Sequence, residues 1–197
     1  MLTAVLDTCV LYSGLRRDFL LSLVAEGVYR LVLTEDILFE IEYVEVRKLT
    51  GLGTEHSVAE MRAAQLAGQL RKNFDIESGS RTSLVAPVGL PDPDDEHLVA
   101  AAIAGGAEVI VTENLRDLPA HILPAGIRAM SPQDFLHDMA CADPDRAAHA
   151  LSAMTSRRQN PPQSATDILG LLVLNGSLHI STAHVLRKPL RERDTRS

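Results

Sequence analysis

Near its amino end the sequence reads Leu2-Thr3-Ala4-Val5-Leu6-Asp7-Thr8-Cys9-Val10-Leu11, a short apolar run followed directly by an aspartate. Similar apolar runs recur at Leu31–Leu33 and Val109–Val111, and such runs between polar residues are typical of buried parallel strands. Ligands of α/β sheets bind at the carboxyl ends of the strands, so Asp7 stands where a functional side chain is expected. An aspartate there can equally serve only as a hydrogen-bond acceptor in a turn.

Helical patterns separate the apolar runs. Thr34 predicts the cap of a helix in which apolar residues recur at helical spacing, and residues 57–73 are also predicted to be helical. The alanine-rich segment Leu98–Ala104 predicts a further helix, which ends at two glycines. Asp75–Ser83 is predicted to be a polar loop, and Ile127–Met130 a last short strand. This alternation predicts an α/β domain.

Composition divides the chain in two. Its 197 residues include 19 Lys+Arg and 26 Asp+Glu, for a formal charge of −7. Residues 1–140 hold 21 of the acids and 11 of the bases, whereas residues 141–197 hold 5 acids and 8 bases. We therefore expect an acidic domain at 1–140 and a helical annex at 141–197. The annex is predicted to contain helices at Asp145–Thr155, Ala165–Leu174 and Thr182–Leu186, with a loose charged tail from Arg187 onward.

Several protein classes are excluded on composition. The two cysteines, Cys9 and Cys141, are too few for a disulfide framework or a four-ligand zinc site. The amino end lacks the pattern of a signal peptide, and apolar runs such as Leu98–Ala104 are far shorter than a membrane span. We expect a cytoplasmic protein without a membrane partner. Cys9 is predicted to be a small buried residue rather than a nucleophile.

Acidic residues cluster at Pro91-Asp92-Pro93-Asp94-Asp95-Glu96, where a helix is predicted to begin. Capping explains one or two acids at a helix start, and four can also indicate a divalent cation held by oxygen ligands. Glu40 is one of several acids of the helix after Thr34, and periodicity does not choose among them. His97, two positions after Asp95, is predicted to turn away from that acid and to lie on the helix surface.

Four stretches of residues 1–140, in order, resemble the PIN-domain ribonucleases, in particular the VapC-like toxins of bacterial toxin–antitoxin pairs. Val5-Leu6-Asp7-Thr8 matches the opening strand with the family's first acid, although the family usually has Asn where this chain has Cys9. Thr34–Glu40 matches a motif in which a hydroxyl residue precedes a glutamate by six positions. The resemblance therefore selects Glu40 among its acidic neighbours.

The other two matching stretches are Asp95–Ala102 and Ile110–Asn114. In the first, Asp95 precedes an alanine-rich helix. The second has Asn114 where many members have Asp, so Asn114 or Asp117 is the fourth site residue. The resemblance implies a PIN-like α/β/α sandwich with a central parallel sheet, and residues 141–197 resemble the small helical annex of some VapC-like toxins.

The resemblance further implies a hydrolase that cleaves RNA phosphodiester bonds with Mg²⁺ or Mn²⁺. Asp7 and Asp95 are the expected principal metal ligands, and Glu40 is a ligand or a water-positioning base. Thr8 or Thr112 would orient carboxylates or a phosphate. A bound cation would also let an acidic site attract RNA. The implied partners are an RNA substrate, with tRNA as a candidate, a cognate antitoxin protein and a second copy of the chain.

Two other readings stay open. A PIN-like domain without catalytic activity could serve as a binding or scaffolding module, as the departures at Cys9 and Asn114 would permit. A magnesium-dependent phosphatase or regulator of the doubly wound type is the other alternative. That class requires a lysine near the site, and no lysine follows a predicted strand.

Overall fold

The structure is a computed structural model that describes residues 1–77, 84–158 and 162–194, without the side chain of Asp194. The chain divides into two compact units, which are described separately. The sheet unit comprises Thr3–Tyr12 and Leu31–Ala129, and the helical unit comprises Met1–Leu2, Ser13–Arg30 and Met130–Ser197.

Five strands form one parallel sheet in the order β3-β2-β1-β4-β5. They are β1 (Thr3–Leu6), β2 (Arg30–Thr34), β3 (Ile76–Glu77), β4 (Val109–Val111) and β5 (Arg128–Met130). Strand β1 is central and fully buried, as its apolar run predicts. The α/β class with a central parallel sheet, flanking helices and further helices at the carboxyl end is confirmed.

Helices connect the strands of the sheet unit. They are α1 (Thr8–Leu11), α3 (Glu35–Gly51), α4 (His56–Asn73) and α5 (Glu96–Gly105), the last preceded by a single 3₁₀ turn at Pro93–Asp95. Thr34 caps α3 as predicted, since its Oγ1 accepts the amide of Ile37 at 3.3 Å. A Cβ at Gly105 would lie only 2.6 Å from the methyl carbons of Val32, so glycine lets the end of α5 pack closely on β2.

The helical unit joins a helix near the amino end to the carboxyl-terminal helices. Its members are α2 (Gly14–Ala25), α6 (Pro132–Ala142), α7 (Pro144–Ser156), α8 (Ala165–Leu174) and α9 (Ile180–Asp194). Helix α2 packs against α7, and the rings of Tyr29 and Phe135 meet edge to face with centroids 4.9 Å apart. In the described part of the chain, no helix is both long and apolar enough to span a bilayer.

Three local features differ from what the sequence predicts. The predicted loop Asp75–Ser83 contains strand β3, whose Ile76 pairs with Leu33 of β2. Residues 78–83 of the predicted loop lie outside the described part of the chain. A strand of two residues has almost no sequence pattern of its own, and its neighbour in the sheet stabilises it. The third annex helix runs over Ile180–Asp194 rather than Thr182–Leu186, so the tail from Arg187 is helical as far as the structure describes it. Helix α2 was not predicted.

Candidate metal centre

Asp7 is held rigidly at the carboxyl end of the central strand. It is only 9% exposed, and its carboxylate caps α1 by accepting the amide of Cys9 at 3.1 Å. The hydroxyl of Thr112, the residue after β4, donates to Asp7 Oδ2 at 2.6 Å. Leu6 and Val111 are paired in the sheet, so the residues that follow them are brought side by side. The sheet register therefore orients the first predicted acid.

The thiol of Cys9 is a second side-chain donor to Asp7. Its Sγ lies 3.0 Å from Asp7 Oδ2, and burial together with the Asp7 charge raises the pKa of Cys9 to about 12. A thiol with that pKa stays protonated at neutral pH and is a poor nucleophile. Cys9 therefore acts as a hydrogen-bond donor to the carboxylate.

Three carboxylates converge beside Asp7. Oxygens of Asp92, Asp95 and Asp117 all lie within 4.8 Å of one another, and this group is suited to hold a metal ion. Asp92 also accepts the amide of Asp94 at 3.0 Å, which fixes the turn that carries Asp95. In the sequence, Asp92 is only one of several acids at the predicted helix start, and Asp117 is one of two alternatives for the fourth site residue. The structure brings both of them to Asp95.

The surroundings of Asp95 shift its pKa strongly. Partial burial raises its pKa to about 6, and the negative charges of Asp7, Asp92 and Asp117 add to that effect. Asp7 is thus part of the same electrostatic site. A divalent cation would relieve this repulsion, and a set made only of carboxylate oxygens suits Mg²⁺ or Mn²⁺.

Asn114 and Asp117 make different contacts in the site. The amide nitrogen of the Asn114 side chain donates to Asp117 Oδ2, and its backbone amide donates to Thr112 Oγ1 at 2.9 Å. Asp117, not Asn114, offers an oxygen to the group of three aspartates. Asn114 thus connects Asp117 to Thr112, which itself holds Asp7.

Glu40 projects from α3 and is held apart from the group of three. Its Oε2 accepts the Thr8 hydroxyl at 2.7 Å and lies 3.3 Å from His97 Nε2, within ion-pair distance. His97 is the main cause of a lowered pKa of Glu40, against the opposing effect of partial burial, and Thr8 adds to it. Glu40 is therefore an ionised carboxylate with fixed neighbours.

The prediction that His97 lies on the helix surface was wrong. The His97 side chain is only 22% exposed and contacts Glu40. The His97 ring faces Glu40 of α3 rather than solvent. A single sequence shows helical spacing along α5 but not which helix packs on it. Glu40 and His97 are far apart in the sequence, so no local sequence pattern indicates their contact.

Glu96 organises the loop that precedes the acidic turn. Its two carboxylate oxygens accept the amides of Val88, Gly89 and Leu90 at 2.9, 2.7 and 2.8 Å. Slight desolvation opposes the effect, but these three amides together lower the pKa of Glu96. Glu96 thus anchors the segment leading to Asp92 and is not turned toward the group of three aspartates.

We expect Glu96→Gln to destabilise the protein by about 1 kcal/mol at neutral pH, because an amide side chain cannot accept all three bonds with a full charge. The pKa of Glu96 is lowered in the folded state, so its contribution is present above the unfolded-state pKa and disappears as the pH falls through the folded-state value. Urea unfolding at neutral and acidic pH measures this. Glu108→Gln, at an exposed carboxylate, is the control. An equal loss at both pH values would contradict the prediction.

Comparison with known proteins places this arrangement in a family. A family model for the PIN domain matches residues 3–116, which is more than half of the chain. The matched range includes Asp7, Asp92 and Asp95 and ends one residue before Asp117. The chain belongs to the PIN-domain family. A second model, the VapC50 C-terminal domain, matches residues 132–187. The resemblance to VapC-like PIN proteins with a helical annex is thereby confirmed.

One curated relative matches part of this PIN protein. It carries the name "Putative ribonuclease VapC50", comes from Mycobacterium tuberculosis strain H37Rv, and is 35% identical over 79 residues. The match covers 40% of this chain and 47% of the relative, so the chain spans about half the length of that protein.

Proposed function

We propose that this PIN protein is a metal-dependent endoribonuclease and the toxin component of a toxin–antitoxin module. The observation that carries the proposal is the convergence of Asp92, Asp95 and Asp117 beside the rigidly held Asp7 in a PIN domain. The name of the partial relative, a ribonuclease, supports the same activity. Four carboxylates so close together are destabilising unless a cation offsets their charge.

Asp7 and Asp95 are the proposed principal metal ligands, and Asp117 completes the set. Asp117 thus takes the place left open between Asn114 and Asp117, while Asn114 orients it. A bound Mg²⁺ or Mn²⁺ would supply an activated water and stabilise charge on the phosphodiester. Thr112 and Cys9 hold Asp7 in one orientation by their hydrogen bonds.

Glu40 has a different proposed role. Thr8 and His97 already engage its Oε2, and it does not belong to the group of three aspartates. Of the two roles predicted for Glu40, we therefore favour that of a carboxylate that positions the attacking water rather than that of a metal ligand. Its lowered pKa keeps it ionised and able to accept a proton at neutral pH.

The proposed partners follow from the VapC-like family. They are an RNA substrate, with tRNA as the first candidate, an antitoxin protein that covers the acidic groove, and a second copy of the chain. The family also supports a cytoplasmic location. The division into a nuclease domain at 1–140 and an annex at 141–197 remains a prediction.

The test is calorimetry with Mn²⁺ and Mg²⁺ on the parent and on Asp7→Asn/Asp95→Asn, followed by cleavage of bulk tRNA in the same samples. We expect the parent to bind metal and to cleave, and the double variant to do neither. Mn²⁺ binding without cleavage of any RNA would contradict the ribonuclease. If neither protein binds metal, the acidic group is a structural remnant, and a PIN-like binding module becomes the better account.

A further inference from the structure

His97 lies between two oxygen atoms that belong to different parts of the site. Its Nδ1 is 2.7 Å from the backbone carbonyl of Asp94, and its Nε2 is 3.3 Å from Glu40 Oε2. Nε2 is fully enclosed and has no hydrogen bond of good geometry among the described residues. The carboxylate of Glu40 is the polar group that it faces.

The chemistry of these neighbours fixes what the ring does. A carbonyl oxygen only accepts hydrogen bonds, so Nδ1 donates to Asp94. An ionised carboxylate also only accepts, so Nε2 can donate to Glu40 only when both ring nitrogens carry a proton, that is, in the imidazolium form. His97 therefore links the backbone of the acidic turn Pro93–Asp95 to a side chain of α3.

The two oxygens of Glu40 have unequal surroundings. Oε2 receives the Thr8 hydroxyl at 2.7 Å and faces His97, whereas Oε1 has no hydrogen bond in the described part of the chain. Thr8 is itself buried and begins the short helix α1 directly after Asp7. Thr8 and His97 thus fix Oε2 of Glu40, whereas Oε1 is available to a ligand as far as the described residues show.

We propose that His97 is a positioning residue, which together with Thr8 holds Oε2 of Glu40 so that Oε1 orients the water that attacks the phosphodiester. The role rests on the nuclease function proposed above. His97 touches neither RNA nor water in this role and acts through Glu40. It also keeps Glu40 in register with the turn that carries Asp95, because the same ring holds the Asp94 carbonyl.

Two substitutions of His97 test the contacts of the two ring nitrogens one at a time. In His97→Gln the side-chain amide nitrogen reaches the position of Nε2 and keeps a donor toward Glu40. In His97→Asn the amide nitrogen corresponds to Nδ1, so the donor toward Asp94 remains and the one toward Glu40 is lost. We expect His97→Asn to lower kcat at least about tenfold with KM for RNA nearly unchanged, and His97→Gln to restore most of the loss.

The decisive control is the Glu40→Gln background. Since His97 acts through Glu40, His97→Asn should lower kcat no further there. The exposed His121→Asn should behave as the parent in all assays. If the parent cleaves RNA and His97→Asn cleaves equally well, or if Asn and Gln lose the same amount, the positioning role is overturned. A parent that cleaves no RNA overturns the nuclease function itself, and with it this role.

A readout without RNA tests the contact directly. In metal-free protein, the Tm shifts of His97→Asn and Glu40→Gln should not add, because either change breaks the same contact. Mn²⁺ affinity measured by calorimetry should stay within about twofold in His97→Asn, since Glu40 lies outside the ligand group. Additive Tm shifts, or a large loss of Mn²⁺ affinity, would overturn the proposal.

Discussion

Asp95→Asn should abolish metal-dependent RNA cleavage and at the same time stabilise the metal-free protein. The substitution keeps the shape of the side chain but removes one of the three carboxylates of the acidic group. We expect cleavage to fall at least about 10²-fold, as for loss of other groups that stabilise charge in a transition state. A gel assay of RNA cleavage in Mn²⁺ measures this, with the exposed Asp75→Asn as the control.

The gain in stability follows from the raised pKa of Asp95. The folded protein holds this proton up to about pH 6, compared with an ordinary value of 3.8. Ionised Asp95 therefore costs folding free energy, and the cost grows as the pH rises through that interval and is complete above it. A full shift would correspond to about 3 kcal/mol, and solvent screening at this half-exposed group reduces it to about 1 kcal/mol.

Urea unfolding with a chelator, below pH 4 and above pH 7, tests the sign. The Asn variant should exceed the parent only at the higher pH, because both proteins are neutral at this position in acid. Added Mn²⁺ should reverse the order, since metal binding stabilises only the protein that retains the ligand. A variant less stable than the parent in chelator at both pH values would contradict the raised pKa of Asp95, and with it the partial burial and the neighbouring acids that raise it.

A chain cut after residue 140 should lose most of its stability. The cut leaves α2 in the protein but removes α7, against which α2 packs in the helical unit. Phe19, Leu20 and Leu23 of α2 are fully buried. Exposing large apolar side chains costs about 1.5–3 kcal/mol each, so the loss is comparable to the whole stability of an ordinary domain.

Polar contacts between α2 and the removed segment are lost as well. Arg157 donates to the hydroxyl of Ser22 at 2.6 Å, and Arg158 pairs with Asp18 at 2.5 Å. Circular dichroism melts of residues 1–140 and of the full chain compare the two proteins. Leu23→Ala in the full chain is the single-residue counterpart, with an expected loss of about 2–5 kcal/mol. A truncated chain that melts cooperatively within a few degrees of the full chain would contradict the prediction.

Local patterns were enough for most elements. The buried strands β1, β2 and β4 are apolar runs, and α3 begins at the Thr34 cap that its sequence predicts. The strands alternate with helices, and this order predicts a parallel sheet with acids at its carboxyl edge. Asp7 lies at that edge, directly after β1. These features depend on neighbours within a few residues, which the sequence displays directly.

The composition of the acidic site depended on packing. Asp117 lies more than twenty residues after Asp95 in the sequence and yet joins Asp92 and Asp95 in space. Helical or strand periodicity does not predict contacts between residues so far apart in the sequence. The same is true of His97, which helical spacing alone assigned to the surface. The difference arises because a helical wheel gives the direction of a side chain relative to its own helix and not the helix that it meets.

The sequence by itself determined the α/β class, the parallel sheet and the placing of Asp7 at a strand end, because apolar periodicity and capping are local properties of the chain. Only the tertiary structure decided that Asp117 approaches Asp95, that His97 faces Glu40, and that α2 joins the carboxyl-terminal helices. Each of these is a long-range contact, whose free energy comes from burial and charge between segments far apart in the chain.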